Sequence, residues 1–135
     1  MGVFIDSPLA IKTTQIYPKY AKYFDDEAKK LFSSSSQLFD FPELKMISSV
    51  EESKAIDANT SPKIIIAGSG MSTGGRILFH ERVFLPGDNN TLLIIGFQVE
   101  GSLGRKLQNG DKKVNILGSE IDVNANIETL NSYSA

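Results

Sequence analysis

The chain of 135 residues is 41% hydrophobic and 22% charged, which is typical of a globular domain long enough to bury a core without disulfides. It has no cysteine and one histidine, His80, which excludes thiolate metal sites and disfavours a self-contained catalytic zinc site. The net charge of −2 disfavours a surface that wraps nucleic acid throughout. The chain has no apolar run long enough to span a bilayer and no signal-peptide pattern, so we expect a cytoplasmic protein with no membrane contact.

A strand followed by a capped helix is predicted at the N-terminus. Val3 to Ile5 form a short apolar run, and Asp6-Ser7 can cap a helix that takes Pro8 at its first position. Pro18 interrupts the helical spacing that follows and predicts a kink or a restart. A second short helix is predicted from about Asp25, with acidic residues in its first turn.

The next segment is predicted to contain a loop, a brief strand and a third helix. Ser33 to Ser36 is a run of serines, a composition typical of loops. Lys45 to Ile47 suit a short strand. Ser49 and Glu52 have the spacing of a capping box, which predicts a helix from Val50 to about Asp57.

The chain is organised around the stretch KIIIAGSGMSTGGRILFH, from Lys63 to His80. Ile64 to Ile66 show no polar alternation, which predicts a parallel strand buried on both faces. The glycines that follow let the backbone turn sharply and leave N–H groups uncovered by side chains. Strand, glycine loop and helix N-terminus together predict a site for an anion, usually a phosphate.

The helix after the glycines is predicted from about Thr73 to Leu85. Arg76 lies in its first turn, where a cation opposes the helix dipole unless an anion joins it. Arg76 and His80 are four residues apart and therefore share a helix face. The arrangement favours anion binding, although a carboxylate elsewhere in the fold would also serve as the partner of Arg76.

The pattern of strand, glycine turn and arginine appears a second time. Leu92 to Ile95 predict another fully buried strand, and Glu100 to Arg105 form a turn that starts a helix, with Leu103 and Leu107 as its packing pair. Since the carboxyl ends of parallel strands share one edge of a sheet, we expect both turns to face one crevice. Between Pro62 and Lys113 seven basic residues stand against four acidic ones, and this balance of +3 favours a polyanionic ligand.

Three kinds of ligand compete for the glycine loop. A nucleoside-triphosphate P-loop is excluded because Gly75 is followed by Arg76 rather than by lysine and a hydroxyl residue. A dinucleotide fingerprint is approximated with one residue too many, so a Rossmann-like nucleotide-binding or interaction module stays the alternative. The third kind is a polynucleotide whose backbone phosphates are held by loop amides with Ser69, Ser72, Thr73 and Arg76.

The C-terminal part differs in pattern. Val114 to Leu117 predict a strand, and Ile121 to Leu130 alternate between apolar and polar residues, which predicts a half-exposed antiparallel edge. The predicted fold class is therefore α/β, with a mainly parallel open sheet, helices on both faces and an antiparallel edge at the C-terminus. The chain stops at Ala135 without a helix or cap, which indicates a piece of a longer protein.

Three segments carry a resemblance to a known family: IIIAGSGMSTGGRILFH, TLLIIGFQVEGSLGRKL and ILGSEIDVNANIETLNSYSA. With the initial FIDSPLA, they resemble in the same order the β-CASP part of the RNA-processing metallo-β-lactamase superfamily. The resemblance implies a single, partial β-CASP domain over residues 1–135, excised from a larger zinc-dependent ribonuclease. In such enzymes two Zn ions, held by the metallo-β-lactamase domain, activate a water for attack on phosphorus.

The resemblance also implies a position for the substrate, since the β-CASP domain forms one wall of the RNA cleft. By position it assigns to that wall Ser69, Gly70, Met71, Gly74, Gly75 and Arg76. It places nearby Ser102, Gly104 and Arg105. With Ser72 and Thr73 these residues make up the predicted RNA-phosphate-binding set. The implied partners are single-stranded RNA and the metallo-β-lactamase domain of the same protein, and a homodimer is left open.

The chain departs from the family pattern where the chemistry would be. The HxHxDH zinc motif is absent, so we predict no catalytic residue, no metal ligand and no cofactor on this chain. The family pattern continues with His-Ala-Asp, whose catalytic histidine would follow directly after Ala135. His80 stands where relatives commonly have a histidine, but Phe79 replaces a second one. We therefore expect the chain alone to bind RNA without cleaving it.

Overall fold

A computed structural model describes residues 1–34 and 41–131 of the chain. The chain divides into two compact units, Met1–Ile66 and Ala67–Ala135. The expectation of one domain over residues 1–135 stays a prediction. Within the described ranges, no helix has both the length and the apolar character needed to cross a membrane.

The first unit contains a sheet built on the N-terminal strand. Strand β1 (Gly2–Asp6) pairs in parallel with β2 (Leu44–Met46), with Val3 opposite Leu44. Strand β3 (Lys63–Ala67) lies on the other side of β1, so the order is β2-β1-β3. The predicted strands of this half are therefore confirmed, with β1 in the centre.

Four helical segments are described in the first unit: α1 (Pro8–Ile16), a 3₁₀ helix (Tyr17–Tyr23), α2 (Asp26–Ser34) and α3 (Val50–Ala58). Ser7, rather than Asp6, caps α1, because its hydroxyl accepts a hydrogen bond from the Ala10 N–H at 3.4 Å. The interruption predicted at Pro18 is confirmed by the change from α1 to the 3₁₀ helix. The capping box of Ser49 and Glu52 is also present.

The serine run is only partly a loop. Ser33 and Ser34 are the last residues of α2, so the predicted loop is wrong for them. Serine costs a helix little, and adding a residue to an existing helix is much easier than starting one. Ser35 and Ser36 lie outside the described residues.

The apolar core of the first unit is small. It consists of Phe4, Ile47 and Ile56, with Ile65 packed against them. Ile64 and Ile66 are half-exposed, so the prediction that this strand is buried on both faces is wrong. β3 is an edge strand, and the described residues cover one of its faces only.

The second unit contains one parallel and one antiparallel pair of strands. Its described strands are β4 (Thr91–Ile95), β5 (Lys113–Ile116), β6 (Ser119–Asp122) and β7 (Asn126–Leu130), and its helices are α4 (Ile77–Phe84) and α5 (Leu103–Gln108). β4 and β7 are parallel, whereas β5 and β6 form an antiparallel hairpin. The α/β class, the parallel pairing and the antiparallel pairing near the C-terminus are confirmed, with the strands in three separate sheets.

The larger core belongs to the second unit. Its buried members come from α5, from the strands and from the turns between them: Leu85, Ile94, Leu107, Val114, Ile116, Val123 and Ala125. The predicted packing pair of α5 is confirmed, because Leu107 is fully buried and Leu103 packs against the core. α4 begins at Ile77 and not near Thr73, because the glycine segment continues to Arg76.

Two strand predictions in the second unit are wrong. Leu93 and Ile95 are half-exposed, so β4 is covered on one face rather than on both. Residues 121–130 are not one antiparallel strand, since β6 ends at Asp122 and β7 pairs in parallel with β4. Between them, Asn124 and Ala125 donate backbone hydrogen bonds to Leu85 O, both at 2.9 Å. The buried Val123 and Ala125 continue the apolar alternation without a strand, so periodicity alone could not show the break.

Candidate functional site: a cleft between two glycine turns

The predicted anion site lies in the glycine loop, residues 68–76, which leads into α4. Its backbone is closed by its own hydrogen bonds: the Ser69 N–H donates to Gly74 O and the Ser72 N–H to Ser69 O, both at 3.1 Å. The Thr73 N–H donates to Ser69 Oγ at 3.1 Å, and the two hydroxyl oxygens of Ser69 and Thr73 are 3.1 Å apart. These three N–H groups are used within the loop, so its hydroxyls are better placed than these amides to meet an anion.

One glycine of the loop is required by the backbone itself. Gly75 has a φ of +77°, and a Cβ added to it would lie 2.5 Å from Gly68 O. The same Gly68 oxygen accepts a hydrogen bond from the Ile77 N–H at 3.0 Å. Gly70 and Gly74 have open space where a Cβ would stand. The closed conformation of the loop therefore depends on Gly75. At Gly70 and Gly74, by contrast, a Cβ would meet no other atom within 4 Å.

A buried carboxyl group supports the loop from inside. Glu81, on α4, is 3% exposed, and its Oε1 accepts a hydrogen bond from the hydroxyl of Ser72. Ser72 is itself buried and has a φ of +53°, an uncommon conformation for a residue with a side chain. Among the described residues, Glu81 Oε2 is buried without a hydrogen-bond partner. Ser72, predicted to face a phosphate, is thus turned inward and holds the loop to α4.

Burial changes the acidity of this carboxyl group. It raises the pKa of Glu81 from 4.5 to about 7, and the hydrogen bond from Ser72 opposes that shift. The charged form is disfavoured because little water reaches the carboxylate. At neutral pH, the Glu81 carboxyl group that supports the glycine loop is therefore close to half-protonated.

The second turn, residues 96–102, leads into α5 and is closed by a different device. Ser102 caps α5, since its Oγ accepts from the Arg105 N–H at 3.1 Å. The same hydroxyl donates to Val99 O at 2.8 Å. Gly96 and Gly101 have positive φ values of +91° and +83°. This turn therefore contains two glycines with a backbone conformation that other residues rarely adopt, and it ends in a helix cap at Ser102.

Two contacts join the glycine loop to the second turn. The buried Gln98 donates from Nε2 to Gly70 O at 2.9 Å, and the Gly104 N–H donates to Met71 O at 3.1 Å. A Cβ on Gly104 would stand 1.8 Å from Gln98 Oε1 and 3.1 Å from Met71 O, so a side chain at this position would displace the Gln98 amide. The expectation that the two turns face one crevice is confirmed within the second unit.

An open cleft of about 330 Å³ lies where these turns meet. One side is the glycine loop, with Ser69 and Thr73 as its polar groups, and the other side is apolar, with Ile95 and Phe97. Phe97 is 66% exposed, and the guanidinium carbon of Arg105 lies 5.5 Å from the centre of its ring. The cleft therefore offers hydroxyl groups and an exposed aromatic ring, and a cation lies next to that ring.

The two predicted arginines occupy different surroundings. Arg76 is half-buried at the start of α4, next to the glycine loop. Arg105 Nε lies 3.6 Å from the exposed Glu100 carboxylate, and Arg105 Nη1 donates to Gln108 Oε1 at 3.0 Å. Glu100 is 88% exposed, whereas Arg105 is 27% exposed and its Nε is buried without a hydrogen-bond partner among the described residues.

His80 does not belong to the cleft surface. It is 3% exposed and stacks on Phe84, with ring centres 6.4 Å apart. Among residues 1–34 and 41–131, no group of three or more His, Cys, Asp or Glu side chains is arranged to hold a metal ion. The two zinc ions that the family resemblance assigns to the metallo-β-lactamase domain stay a prediction.

The predicted set thus divides into surface and interior positions. At the cleft or in the loop beside it are Ser69, Gly70, Met71, Thr73, Gly74, Gly75 and Arg76. Arg105 does not line the cleft but lies half-buried on α5, beside the Phe97 ring. Buried beneath are Ser72, Ser102 and Gly104. Sequence reasoning missed Phe97, Gln98 and Glu81 as part of the site. Phe97 and Gln98 directly follow Gly96 at the carboxyl end of β4, a position where ligands commonly bind, and this signal could have found them.

Comparisons with known proteins agree with this picture. The profile of the Beta-Casp domain family matches residues 1–107. The chain is 34% identical over 132 residues to "Ribonuclease TTHA0252" of Thermus thermophilus, covering 98% of this chain and 31% of that protein. It is 29% identical over 138 residues to "Transcription termination factor FttA" of Methanocaldococcus jannaschii, covering 98% of this chain and 22% of that protein.

The relative from Thermococcus kodakarensis, also a "Transcription termination factor FttA", is 29% identical over 129 residues, covering 91% of this chain and 20% of that protein. The chain thus spans less than a third of the length of each of these relatives. The profile match covers both units up to Leu107 and includes both glycine turns. This chain belongs to the Beta-Casp domain family.

Proposed function

We propose that this chain forms the RNA-binding wall of the substrate cleft in an RNA-processing ribonuclease. The observation that carries the proposal is the cleft itself, where two hydroxyl groups and an exposed phenylalanine meet, with an arginine next to that ring. Family membership and the names of the relatives, a ribonuclease and transcription termination factors, point to the same substrate class. The parent protein would act in the cytoplasm.

The hydroxyl pair of Ser69 and Thr73 suits a phosphate oxygen. Ser69 Oγ already accepts from the Thr73 N–H, and it can accept the Thr73 hydroxyl proton as well. The Ser69 hydroxyl proton is then directed to an outside acceptor. Arg76, beside the loop, would supply the positive charge that a bound phosphate requires.

The apolar side of the cleft suits a nucleobase. Exposed aromatic rings stack on unpaired bases with little sequence preference, and an arginine near the ring adds attraction for the adjoining phosphate. Phe97 with Arg105 provides both groups. Ser72, Ser102 and Gly104 act in this proposal as positioning residues that hold the two turns, rather than as RNA contacts.

The chemistry of cleavage would come from elsewhere in the protein. No set of described side chains fits a zinc ion. We therefore assign the zinc ions and the cleavage step to the metallo-β-lactamase domain of the same protein, and RNA binding to this chain.

The proposal is tested by titrating the chain with a single-stranded oligoribonucleotide, measuring amide NMR shifts and fluorescence anisotropy. Arg76→Ala removes a charged phosphate contact and is expected to weaken binding about tenfold. Arg82→Ala is the matched control, since Arg82 is exposed on the same helix and its removal changes the net charge equally. It is expected to weaken binding about twofold or less.

Equal effects of the two variants would show only a general field and would contradict the proposal. The proposal is likewise contradicted if no amide between Ser69 and Arg76 shifts on RNA addition. Parallel titrations with NAD and ATP test the alternative of a Rossmann-like nucleotide module. Saturable shifts at the glycine loop with either nucleotide, and none with RNA, would favour that alternative.

A further inference from the structure

Three exposed tyrosine rings lie in the first unit, on the 3₁₀ helix. Tyr17, Tyr20 and Tyr23 are 50%, 54% and 72% exposed. The backbone is kinked at Tyr20, with φ −112° and ψ 19°, and the Tyr17 ring lies against Phe24 with centres 6.5 Å apart. The rings of Tyr20 and Tyr23 stack on each other, with centres 6.3 Å apart and planes 29° apart. Several large rings exposed together are typical of a surface that binds something.

Positive charge alternates with these rings. Lys19 and Lys22 lie between the tyrosines, and Lys22 Nζ is 4.8 Å from the centre of the Tyr23 ring. From Ser7 to Phe24 the chain carries three lysines and no acidic residue. Asp25 follows, and its carboxylate accepts a hydrogen bond from the Ala28 N–H at 2.7 Å. Lysine is therefore the charged residue that alternates with the rings, and the acidic residues Asp25, Asp26 and Glu27 follow directly after Phe24.

We propose that Tyr17, Tyr20 and Tyr23, with Lys19 and Lys22, form a second binding surface for single-stranded RNA. Stacked or stackable rings provide platforms for unpaired bases, and the interleaved lysines meet the phosphates between those bases. A protein partner of ordinary composition needs no such alternation of rings and cations, whereas the sugar–phosphate chain has the matching repeat of base and phosphate. The tyrosine surface rests on the proposed function for the identity of its ligand, but not for its location.

The chain carries a built-in reporter for this test. It has no tryptophan and four tyrosines, of which three belong to the tyrosine surface. Stacking of bases on these rings is expected to quench most of the tyrosine fluorescence during titration of the 135-residue chain with an oligouridylate. Amide NMR shifts recorded in the same titration separate residues 17–23 from residues 69–76.

Tyr23→Ala removes the most exposed ring of the three and is expected to weaken oligouridylate binding about tenfold. Tyr23→Phe is the matched control, since it keeps the ring and is expected to bind within about twofold of the parent chain. Lys22→Ala is expected to flatten the salt dependence of binding by about one ion. The Tyr23→Ala variant alters an exposed side chain, so its circular dichroism spectrum should match that of the parent.

Each outcome of the titration either supports or overturns the tyrosine surface. Shifts at residues 17–23 without shifts at residues 69–76 would support it while overturning the proposed role of the glycine loop. Shifts at the glycine loop alone would overturn it and leave the proposed function standing. Equal binding of an abasic polyphosphate would overturn base stacking. A further contrary result is that RNA does not quench the tyrosines and that another part of the full-length protein protects the amides of residues 17–23. This result would identify a protein contact and overturn the proposed RNA-binding role of the tyrosine surface.

Discussion

The glycine loop and the second turn occupy equivalent positions in the fold, but different interactions stabilise them. Both lead from a strand into a helix, and both border the same cleft. The second turn is closed by Ser102, whose partners lie three residues away on either side. The glycine loop is closed across a longer span, by Gly75 against Gly68 and by Ser72 against Glu81. One turn is therefore encoded locally, and the other depends on residues that meet only after folding.

This difference predicts where each turn is vulnerable. A locally encoded cap loses a modest and well-defined free energy when its side chain is removed, because the helix beyond it remains. A loop that relies on close backbone approach and a buried carboxyl group responds more strongly to small changes, including a change of pH.

The largest effect is expected for Gly75→Ala. The positive φ costs a side-chain-bearing residue about 1–2 kcal/mol, and the clash of the new Cβ with Gly68 O adds a similar amount or more. We expect the free energy of unfolding to fall by about 4 kcal/mol in total. Urea unfolding followed through the amides of β4 measures it.

Gly74→Ala is the matched control for that experiment. It adds the same methyl group one residue away, where nothing lies within 4 Å and no positive φ is required. We expect a change within about 1 kcal/mol. If both variants lose the same stability, the close approach at Gly75 is not what holds the glycine loop.

The second effect concerns the pH dependence of stability through Glu81. Because its pKa is about 7 in the folded chain and 4.5 in the unfolded chain, the folded form keeps the proton over a range where the unfolded form releases it. Its contribution to stability is complete below pH 4.5 and is lost as the pH rises to about 7. The loss amounts to roughly 3.5 kcal/mol at most, at about 1.4 kcal/mol per unit.

Glu81→Gln keeps the shape and removes the titration. We expect this variant to match the parent chain near pH 4 and to be the more stable of the two near pH 8. Urea unfolding of both chains across that range provides the measurement. Parallel stability curves for the two chains would show that Glu81 keeps an ordinary pKa, and that its burial does not couple the glycine loop to pH.

The smallest effect is expected for Ser102→Ala in the second turn. Removing an N-cap hydroxyl costs about 1 kcal/mol, and no close backbone approach is disturbed. Ser102→Thr keeps the hydroxyl and serves as the control. Amide exchange at Arg105 and Lys106 should increase in the alanine variant alone. A loss as large as that of Gly75→Ala would mean that the second turn is not locally encoded.

Much of the fold could be predicted because its signals are short-range. The capping box at Ser49 and Glu52 and the interruption at Pro18 act within one helical turn, and both are present. The predictions that failed concern which faces of the strands are covered by other residues. Ile64 and Leu93 sit in unbroken apolar runs, yet each is about half-exposed because the described residues cover one face of its strand.

The candidate site shows the same limit. The two glycine turns were predicted to meet because parallel strands of one sheet bring their carboxyl ends to one edge. They do meet, but β3 and β4 lie in separate sheets, and the turns are joined by the hydrogen bonds from Gln98 to Gly70 and from Gly104 to Met71. The inward turn of Ser72 could not be predicted, since it depends on Glu81 nine residues away on α4. The role of Gln98 could not be predicted either, because its contacts with Gly70 and Gly104 form only in the folded chain.

The sequence by itself determined the α/β class, the helix caps, the place of both turns and the family. Each of these follows from residues that are close in the chain, or from the order of strands and glycines along it. Neither requires knowledge of the packing. Only the tertiary structure decided which hydroxyls face the cleft, which carboxyl group loses its water, and which exposed ring stands beside Arg105. Burial and close contacts depend on residues that are distant in the chain and become neighbours only on folding. The local sequence around a residue therefore does not specify them.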